Sequence, residues 1–239
     1  MRLITLTSDF GEGSPYVAAM KARLLEGRPD VVLVDVSHSV RPFDVRGGAF
    51  VVWAGTRHFP PGAVHLAVVD PGVGGPRRPV AFELAGSWYV GPDNGLFALV
   101  VSEAPARPAA VELHRPAAAS PTFEGRDVFA PAASALAAGQ SLASLVTPIH
   151  DELAGLPWHR PCVLWVDNFG NLVTSLKPPV AGLRVSGREV RAAARTYSEA
   201  PSDVPFLYVG SMGLIEVGLR EARADERLGA GGGSPVEPL

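Results

Sequence analysis

Three apolar segments in the first third of the chain each end in a turn that carries an acidic or hydroxyl side chain. The segments and the polar residues that follow them are 3–6 with Asp9, 31–36 with Ser37 and His38, and 63–69 with Asp70. Short continuous apolar runs are typical of strands that are buried on both faces of a parallel sheet. Because open α/β sheets bind ligands at the carboxyl ends of their strands, these turns predict a ligand site along one edge of such a sheet.

The pattern between these segments is helical. Ser14-Pro15 supplies an N-cap followed by proline at the first helical position, and Asp44 supplies the cap of a second helix. We therefore predict an α/β fold whose N-terminal domain, residues 1–150, has a central, mostly parallel sheet flanked by helices.

The last third of the chain has a different pattern. Residues 151–161 contain two prolines and a glycine, which indicates a linker. Short strand-like runs without strong helical periodicity follow, so we predict a small β-rich C-terminal domain over residues 162–228. Residues 229–239 include a Gly-Gly-Gly-Ser-Pro run and are predicted to form a flexible tail.

Charge and cysteine content argue against several classes of protein. The formal net charge is −3 and the lysines and arginines are scattered, so the chain lacks the clustered basic residues of a nucleic-acid-binding protein. Cys162 is the only cysteine, and the six histidines show no close-paired spacing, so neither a disulfide nor a metal site is expected. No apolar run reaches the roughly 18–20 residues that a membrane span requires. We therefore expect a cytoplasmic protein without metal, nucleic-acid or membrane partners.

The glycine-rich segment 70–78 brings Asp70 and Arg77 onto one loop. Its glycines would let the backbone approach a ligand closely. It is not a dinucleotide-binding fingerprint, because that pattern would need a glycine at Arg77. A structural ion pair between the two residues would explain the same sequence, and both interpretations stay open.

Three further candidates also have a structural explanation. Asp9 could accept both hydroxyls of a ribose or cap a turn, and His38 could titrate near neutral pH or be a satisfied buried group. In segment 167–171, Phe169 could stack on a purine and Asn171 could pair with its edge, but a β-turn uses the same residue types.

Six motifs, in this order, resemble the S-adenosylmethionine (SAM) hydroxide adenosyltransferase family, the hydrolase relatives of the fluorinase and chlorinase enzymes. The motifs span nearly the whole chain. They are Thr7-Ser8-Asp9-Phe10-Gly11, Val34-Asp35-Val36-Ser37-His38, Val69-Asp70-Pro71-Gly72-Val73-Gly74, Gly91-Pro92-Asp93-Asn94-Gly95-Leu96-Phe97, Gly125-Arg126-Asp127-Val128-Phe129-Ala130-Pro131 and Asp167 to Asn171.

The resemblance implies that SAM is the substrate, that no metal or further cofactor is needed, and that the chain forms a homotrimer with active sites at the subunit interface. It assigns Asp9 to the ribose hydroxyls and Phe123 to the side of the nucleoside. Asp167 would meet the methionine amino group and Ser211 the methionine end, with the adenine held in segment 167–171. The full set of implied substrate-binding residues is Asp9, Phe43, Asn94, Phe123, Asp167, Phe169, Asn171 and Ser211.

The resemblance also implies a water-activating trio of an aspartate, an arginine seven residues later and a histidine. Asp70 and Arg77 match the first two, and Glu124 stands in place of the histidine. Bulk water is a very weak acid, so its attack on the adenosyl C5′ carbon needs a carboxylate that accepts the proton and an arginine that holds the incipient hydroxide. We expect Asp70, Arg77 and Glu124 to be catalytic, with the two carboxylates sharing the role of base.

The activity that the resemblance implies is hydrolysis of SAM to adenosine and L-methionine. Glu124 motivates one alternative, a catalytically impaired protein that binds SAM or adenosine. A halogenase variant is the other, but the short hairpin predicted over residues 80–90 lacks the longer insertion of the fluorinase. Hydrolysis is therefore preferred.

Overall fold

A computed structural model of the chain describes residues 2–26, 30–140, 146–155 and 161–239. These residues belong to two compact units, Met1–Leu156 and Pro157–Leu239. Part of the predicted linker, residues 156–160, lies outside the described residues.

Unit 1 contains a seven-stranded sheet and the helices that flank it. The strands are β1 (Leu3–Ser8), β2 (Val32–Ser37), β3 (Val64–Val68), β4 (Pro79–Leu84), β5 (Ser87–Pro92), β6 (Ala110–Leu113) and β7 (Val146–Ile149). The helices are α1 (Pro15–Leu25), α2 (Val45–Thr56), α3 (Ala98–Ser102) and α4 (Ala130–Ala137), with a π-helical turn at Gly125–Phe129.

The prediction of a mostly parallel sheet holds for only half of it. The strand order is β2-β1-β3-β5-β4-β6-β7; the first four strands pair in parallel, and every pairing from β5 to β7 is antiparallel. The change occurs at the β4–β5 hairpin, whose two loop residues Ala85 and Gly86 both have positive φ. Such a two-residue loop matches the twist of an antiparallel pair, so the next strands extend the sheet without crossover helices.

The parallel half aligns the strand ends that the sequence singled out. Thr7 of β1 pairs with Ser37 of β2, and Ser8 pairs with Val68 of β3. The turns after β1, β2 and β3 therefore lie side by side at one edge of the sheet. Beneath them, apolar side chains of β1 and β3 pack with α1 and α4 in one core cluster that includes Ile4, Leu6 and Phe129.

Unit 2 consists of two small sheets around a core of their own. The five-stranded sheet has the order β12-β13-β14-β9-β8 and the three-stranded sheet the order β11-β10-β15. The strands are β8 (Val163–Val166), β9 (Leu172–Thr174), β10 (Leu183–Val185), β11 (Arg188–Val190), β12 (Ala192–Ala193), β13 (Phe206–Val209), β14 (Ile215–Gly218) and β15 (Val236–Pro238), with helix α5 at Ala224–Leu228.

The structure differs from the predicted flexible tail at residues 229–239. Gly229 ends α5 in the left-handed conformation, so it acts as a helix C-cap. Val236 pairs with Val185 of β10, and its side chain is buried in the unit 2 core. The glycine-rich run therefore forms a turn that returns the chain to the sheet.

Candidate active site

Asp70, Arg77 and Glu124 form a buried charge cluster in unit 1. Arg77 Nε donates to both carboxylate oxygens of Asp70, at 3.1 and 3.0 Å, and Arg77 Nη2 also contacts Asp70 Oδ2. Arg77 Nη1 lies 2.6 Å from Glu124 Oε2. The side chains of Asp70, Arg77 and Glu124 are only 4%, 9% and 2% exposed. One guanidinium therefore joins two carboxylates that come from separate loops.

The two contacts of Arg77 differ in extent. Its pairing with Asp70 uses two guanidinium nitrogens, Nε and Nη2, whereas Glu124 is contacted by Nη1 alone. Burial lowers the pKa of Arg77, but the hydrogen bonds and charges of Asp70 and Glu124 outweigh this and raise the pKa overall. Arg77 therefore stays a cation throughout the physiological range of pH.

Two local features of the sequence bring these loops together. Asp70 directly follows the apolar run of β3, and a Cβ at Gly74 would lie 2.5 Å from the carbonyl oxygen of Pro121, so only glycine lets the first loop approach the second so closely. Glu124 directly precedes the π-helical turn at Gly125–Phe129. Such turns occur frequently at functional sites because they displace a helix end from regular geometry.

Arg115 is a fourth member of the cluster, which the sequence analysis missed. Its Nε donates to Glu124 Oε1 at 2.7 Å, and its Nη2 donates to the backbone carbonyl of Arg77 at 2.8 Å. Arg115 follows the end of β6, so the only available signal was a charged residue after a strand. Its presence balances the two carboxylates with two guanidinium groups.

A cavity of about 280 Å³ opens beside this cluster in unit 1. Asp70 and Glu124 line it together with three of the predicted substrate-binding residues, Asp9, Phe43 and Phe123. The structure therefore brings five predicted site residues of unit 1 to one cavity. Arg77 lies behind Asp70 and Glu124 and does not line the cavity itself.

Asp9 and Phe43 are held by the turns after β1 and β2. Asp9 Oδ2 accepts a hydrogen bond of 2.9 Å from the Phe43 amide. Phe43 adopts φ of +67°, a left-handed conformation that is unfavourable for a bulky residue, and its side chain is 73% exposed. A strained backbone and an exposed aromatic ring at a cavity are typical of a ligand site.

One wall of the cavity is aromatic. The rings of Phe10, Tyr16 and Phe123 meet edge to face, with centroids 5.4–6.1 Å apart. Phe10 and Tyr16 were not among the predicted site residues, although Phe10 lies next to Asp9 in its motif. This wall offers an apolar surface beside the carboxylates of Asp9 and Asp70.

A second cavity, of about 660 Å³, lies in unit 2 and contains the predicted purine-binding residues. Asp167, Phe169 and Asn171 line it, together with Tyr197 and Tyr208. The Asp167 carboxylate accepts hydrogen bonds from the Phe169 and Asn171 amides, both at 2.9 Å, and from Asn171 Nδ2 at 2.7 Å. The bond from Nδ2 uses one of its two hydrogens and fixes the orientation of the Asn171 amide.

Two of the predicted substrate-binding residues do not line either cavity. Asn94 donates from Nδ2 to the Val69 carbonyl at 2.9 Å and accepts from the Leu96 amide, so it secures the end of β3 beside Asp70. Ser211 is exposed in the turn after β13.

Within the described ranges, no cluster of three or more His, Cys, Asp and Glu side chains is arranged to hold a metal ion. None of the helices that the structure describes is long and apolar enough to cross a membrane.

Comparison with known sequences places this arrangement in a family. The profile of the SAM hydroxide adenosyltransferase N-terminal domain matches residues 4–146, and that of the C-terminal domain of the same family matches residues 161–237. The chain belongs to the SAM hydroxide adenosyltransferase family. The resemblance inferred from the six motifs is thereby confirmed.

Individual members of the SAM hydroxide adenosyltransferase family and a solved structure show the same relationship. The chain is 44% identical to an (R)-S-adenosyl-L-methionine hydrolase of Thermus thermophilus, with 100% of both chains covered. It is 39% identical to a protein of the same name from Salinispora arenicola, covering 94% of this chain and 93% of that one. A crystal structure of a conserved hypothetical protein from Thermus thermophilus superimposes with a TM-score of 0.86 at 43% identity, over 100% of both chains.

Proposed function

We propose that this chain hydrolyses SAM to adenosine and L-methionine by attack of water on the adenosyl C5′ carbon. The observation that carries the proposal is the cavity of unit 1, where Asp70 and Glu124 line the same space as Asp9, Phe43 and Phe123. Membership of the family and the names of the curated relatives support the same substrate.

The charges of the cavity favour this substrate. Three carboxylates, Asp9, Asp70 and Glu124, line it, and none of the described residues that line it is a lysine or arginine. Arg77 and Arg115 balance the charges of Asp70 and Glu124 from behind, and the carboxylate of Asp9 leaves the lining net negative, which attracts the sulfonium cation of SAM. The same charge disfavours the entry of a halide ion over that of neutral water, which argues against the halogenase alternative.

The reaction breaks one bond and forms one at carbon. The water oxygen forms a bond to C5′ as the C5′–S bond breaks, and the electron pair of that bond stays on sulfur, which leaves as the neutral thioether of methionine. The leaving group therefore needs no acid. The proton that water loses passes to a carboxylate, so catalysis depends on a base that is held close to the attacking oxygen.

Asp70 and Glu124 share this role in our proposal. Asp70 Oδ1 accepts one hydrogen bond from Arg77, and Glu124 Oε1 accepts one from Arg115, so each of these two oxygens has a second lone pair that can accept the proton of water. Arg77 fixes both carboxylates from behind, and its positive charge acts on the developing negative charge of the oxygen across them and not through direct contact. Full activity of Glu124→Ala would contradict the shared role and leave Asp70 as the sole base.

The remaining predicted residues would bind the substrate. In the proposal Asp9 accepts the ribose hydroxyls, Phe43 and Phe123 contact the nucleoside, and Asn94 supports the loop of Asp70. The residues of unit 2 would bind the other parts of SAM, with Phe169 and Asn171 on the adenine, Asp167 on the methionine amino group and Ser211 at the methionine end.

We also propose that the chain acts as a homotrimer in the cytoplasm. The exposed rings of Phe43 and Phe169, which are 73% and 77% exposed, support the presence of further covering surfaces. An active site at the subunit interface would join the first domain of one subunit to the second domain of its neighbour. Light scattering of the purified chain should then give three times the mass of one chain.

A non-catalytic protein that binds SAM or adenosine remains the second candidate. It is favoured by one observation, the ion pairing of both candidate bases by Arg77 and Arg115. The hydrogen bonds from these arginines occupy positions on the carboxylate oxygens that a base needs for the proton of water.

One assay separates these functions. The purified chain is incubated with SAM, and adenosine and methionine are followed by chromatography, with Asp70→Ala as the test variant and Asp30→Ala, at an exposed carboxylate of the same unit, as the matched control. Hydrolysis predicts equal amounts of the two products from the wild type and the control, and little from Asp70→Ala. Retention of SAM without products would support the binding protein, and products that require a halide would support the halogenase.

A further inference from the structure

A hydrogen-bonded chain of Ser8, His38 and Asp35 lies beneath the unit 1 cavity, and the proposed chemistry does not use it. Ser8 Oγ is 2.7 Å from His38 Nδ1, and His38 Nε2 is 3.1 Å from Asp35 Oδ1. Asp35 Oδ2 accepts a further hydrogen bond of 2.5 Å from Lys21 Nζ. Ser8 and His38 are 0% and 1% exposed, so their protein partners determine their orientation.

The partners also fix the hydrogens of the neutral imidazole. An ionised carboxylate can only accept, so His38 Nε2 carries the hydrogen that it donates to Asp35. His38 Nδ1 is then the acceptor for the hydroxyl of Ser8. The direction of donation therefore runs from Ser8 to His38 and from His38 to Asp35.

A Ser-His-Asp chain of this order can be a nucleophilic triad, but the surroundings of Ser8 do not suit that role. Ser8 has no exposed surface and does not line the cavity. Its Oγ also accepts from the Phe10 amide at 3.3 Å. The hydroxyl is therefore committed to the backbone of the next turn.

His38 contacts that turn, residues 9–12, at three points. Besides its link through Ser8, its carbonyl oxygen accepts from the Gly11 amide at 2.8 Å, and its own amide donates to Glu12 Oε1 at 3.0 Å. The same turn carries Asp9. Two of these contacts use the backbone of His38, so its side chain acts on the turn through Ser8.

The geometry points to His38 as a positioning residue for Asp9. The Asp35–His38–Ser8 chain holds the turn in the conformation that presents the Asp9 carboxylate to the ribose hydroxyls. His38 touches no substrate and acts only through this turn. The inference rests on the proposed function, in which Asp9 binds the ribose.

Two substitutions at His38 divide its contacts. The amide of asparagine lies near the position of Nδ1, so His38→Asn can keep the bond to Ser8. The longer side chain of glutamine reaches the position of Nε2, so His38→Gln keeps Asp35 and loses Ser8. If the link to the turn matters, asparagine preserves function better than glutamine.

The test measures ribose recognition directly. The affinities of the full-length protein for adenosine and for 2′,3′-dideoxyadenosine are measured by calorimetry, with thermal unfolding as a check on folding. The wild type should prefer adenosine, and His38→Gln should lower the affinity for adenosine by roughly tenfold without changing that for the dideoxynucleoside. His38→Asn should keep most of the preference. In steady-state assays with SAM, His38→Gln should raise KM more than it lowers kcat.

Several outcomes would overturn the inference. An unchanged preference for adenosine in His38→Gln, or an equal loss for both nucleosides, would show that His38 serves the fold in general. If His38→Gln does not fold, Asp35→Asn replaces it, because the Asp35 side chain is 39% exposed and its substitution disturbs the core less. The affinities of Asp35→Asn for adenosine and for the dideoxynucleoside should show the same loss of preference for adenosine. Failure of the proposed function is distinct, because the wild type itself would then form no adenosine from SAM.

Discussion

Replacement of Arg77 by methionine should destabilise the protein strongly, because it leaves buried negative charge without its partner. Arg77 pairs with Asp70 and Glu124, and all three side chains are at most 9% exposed. Glu124 keeps its bond to Arg115, so the uncompensated charge is mainly that of Asp70. Removing one partner of a buried ion pair costs about 3–5 kcal/mol, and we expect Arg77→Met to lose this much at neutral pH.

The double variant Arg77→Met/Asp70→Asn tests the cause of this loss. It removes both charges, so it should recover a large part of the stability, although it should not form adenosine. Arg2→Met is the matched control, because Arg2 and its partner Asp30 are 41% and 60% exposed and such pairs contribute at most about 1 kcal/mol.

Urea denaturation followed by far-UV circular dichroism measures these differences, and adenosine formation is assayed on the same samples. The reasoning would be refuted if Arg77→Met were within about 1 kcal/mol of the wild type. It would also be refuted if the double variant were as unstable as the single one, since the loss could then not come from the unpaired carboxylate.

Three further perturbations test other parts of the structure. Burial lowers the pKa of His65 to about 4, below its value of 6.5 in the unfolded chain. The stability that neutral His65 contributes is therefore complete above pH 6.5 and falls by about 3 kcal/mol as the pH drops to 4. Urea titrations of the wild type should show this loss of stability, and those of His65→Phe should lack it. Gly74→Ala should lower both stability and adenosine formation, because its Cβ would meet a backbone carbonyl oxygen. Gly139 has a similar φ but open space around it, so Gly139→Ala should lose only the roughly 1–2 kcal/mol that alanine costs at such a φ. Equal losses of stability in the two variants would contradict the close approach at Gly74. Arg115→Met should lower kcat more than it raises KM for SAM, since it releases one oxygen of Glu124, and an unchanged kcat would argue against a role for that carboxylate.

The residues that the sequence could locate are those next to strong local signals. Asp9, His38 and Asp70 each follow a continuous apolar run, and strand ends of this kind align in a parallel sheet. The glycines of segment 70–78 likewise indicated a close backbone approach, which Gly74 makes to the segment that carries Glu124.

Arg115 could not be found in the same way, because its contact with Glu124 depends on where β6 lies in the sheet. Of the antiparallel half of that sheet, the sequence predicted the β4–β5 hairpin but not the addition of β6 and β7, because a buried strand has the same apolar pattern in either direction. The glycine-rich end was predicted as a tail because its local composition is that of a loop, whereas its place is determined by the pairing of Val236 with β10. Long-range pairing of this kind leaves no signal in the local sequence.

Isotope labelling tests most directly whether water attacks the adenosyl carbon. The purified chain is allowed to convert SAM in water enriched in oxygen-18, and the products are examined by mass spectrometry. The proposal predicts one heavy oxygen in the 5′-hydroxyl of adenosine and none in methionine, with no labelled adenosine from Asp70→Asn. Adenosine without the label, or label that enters methionine, would contradict it.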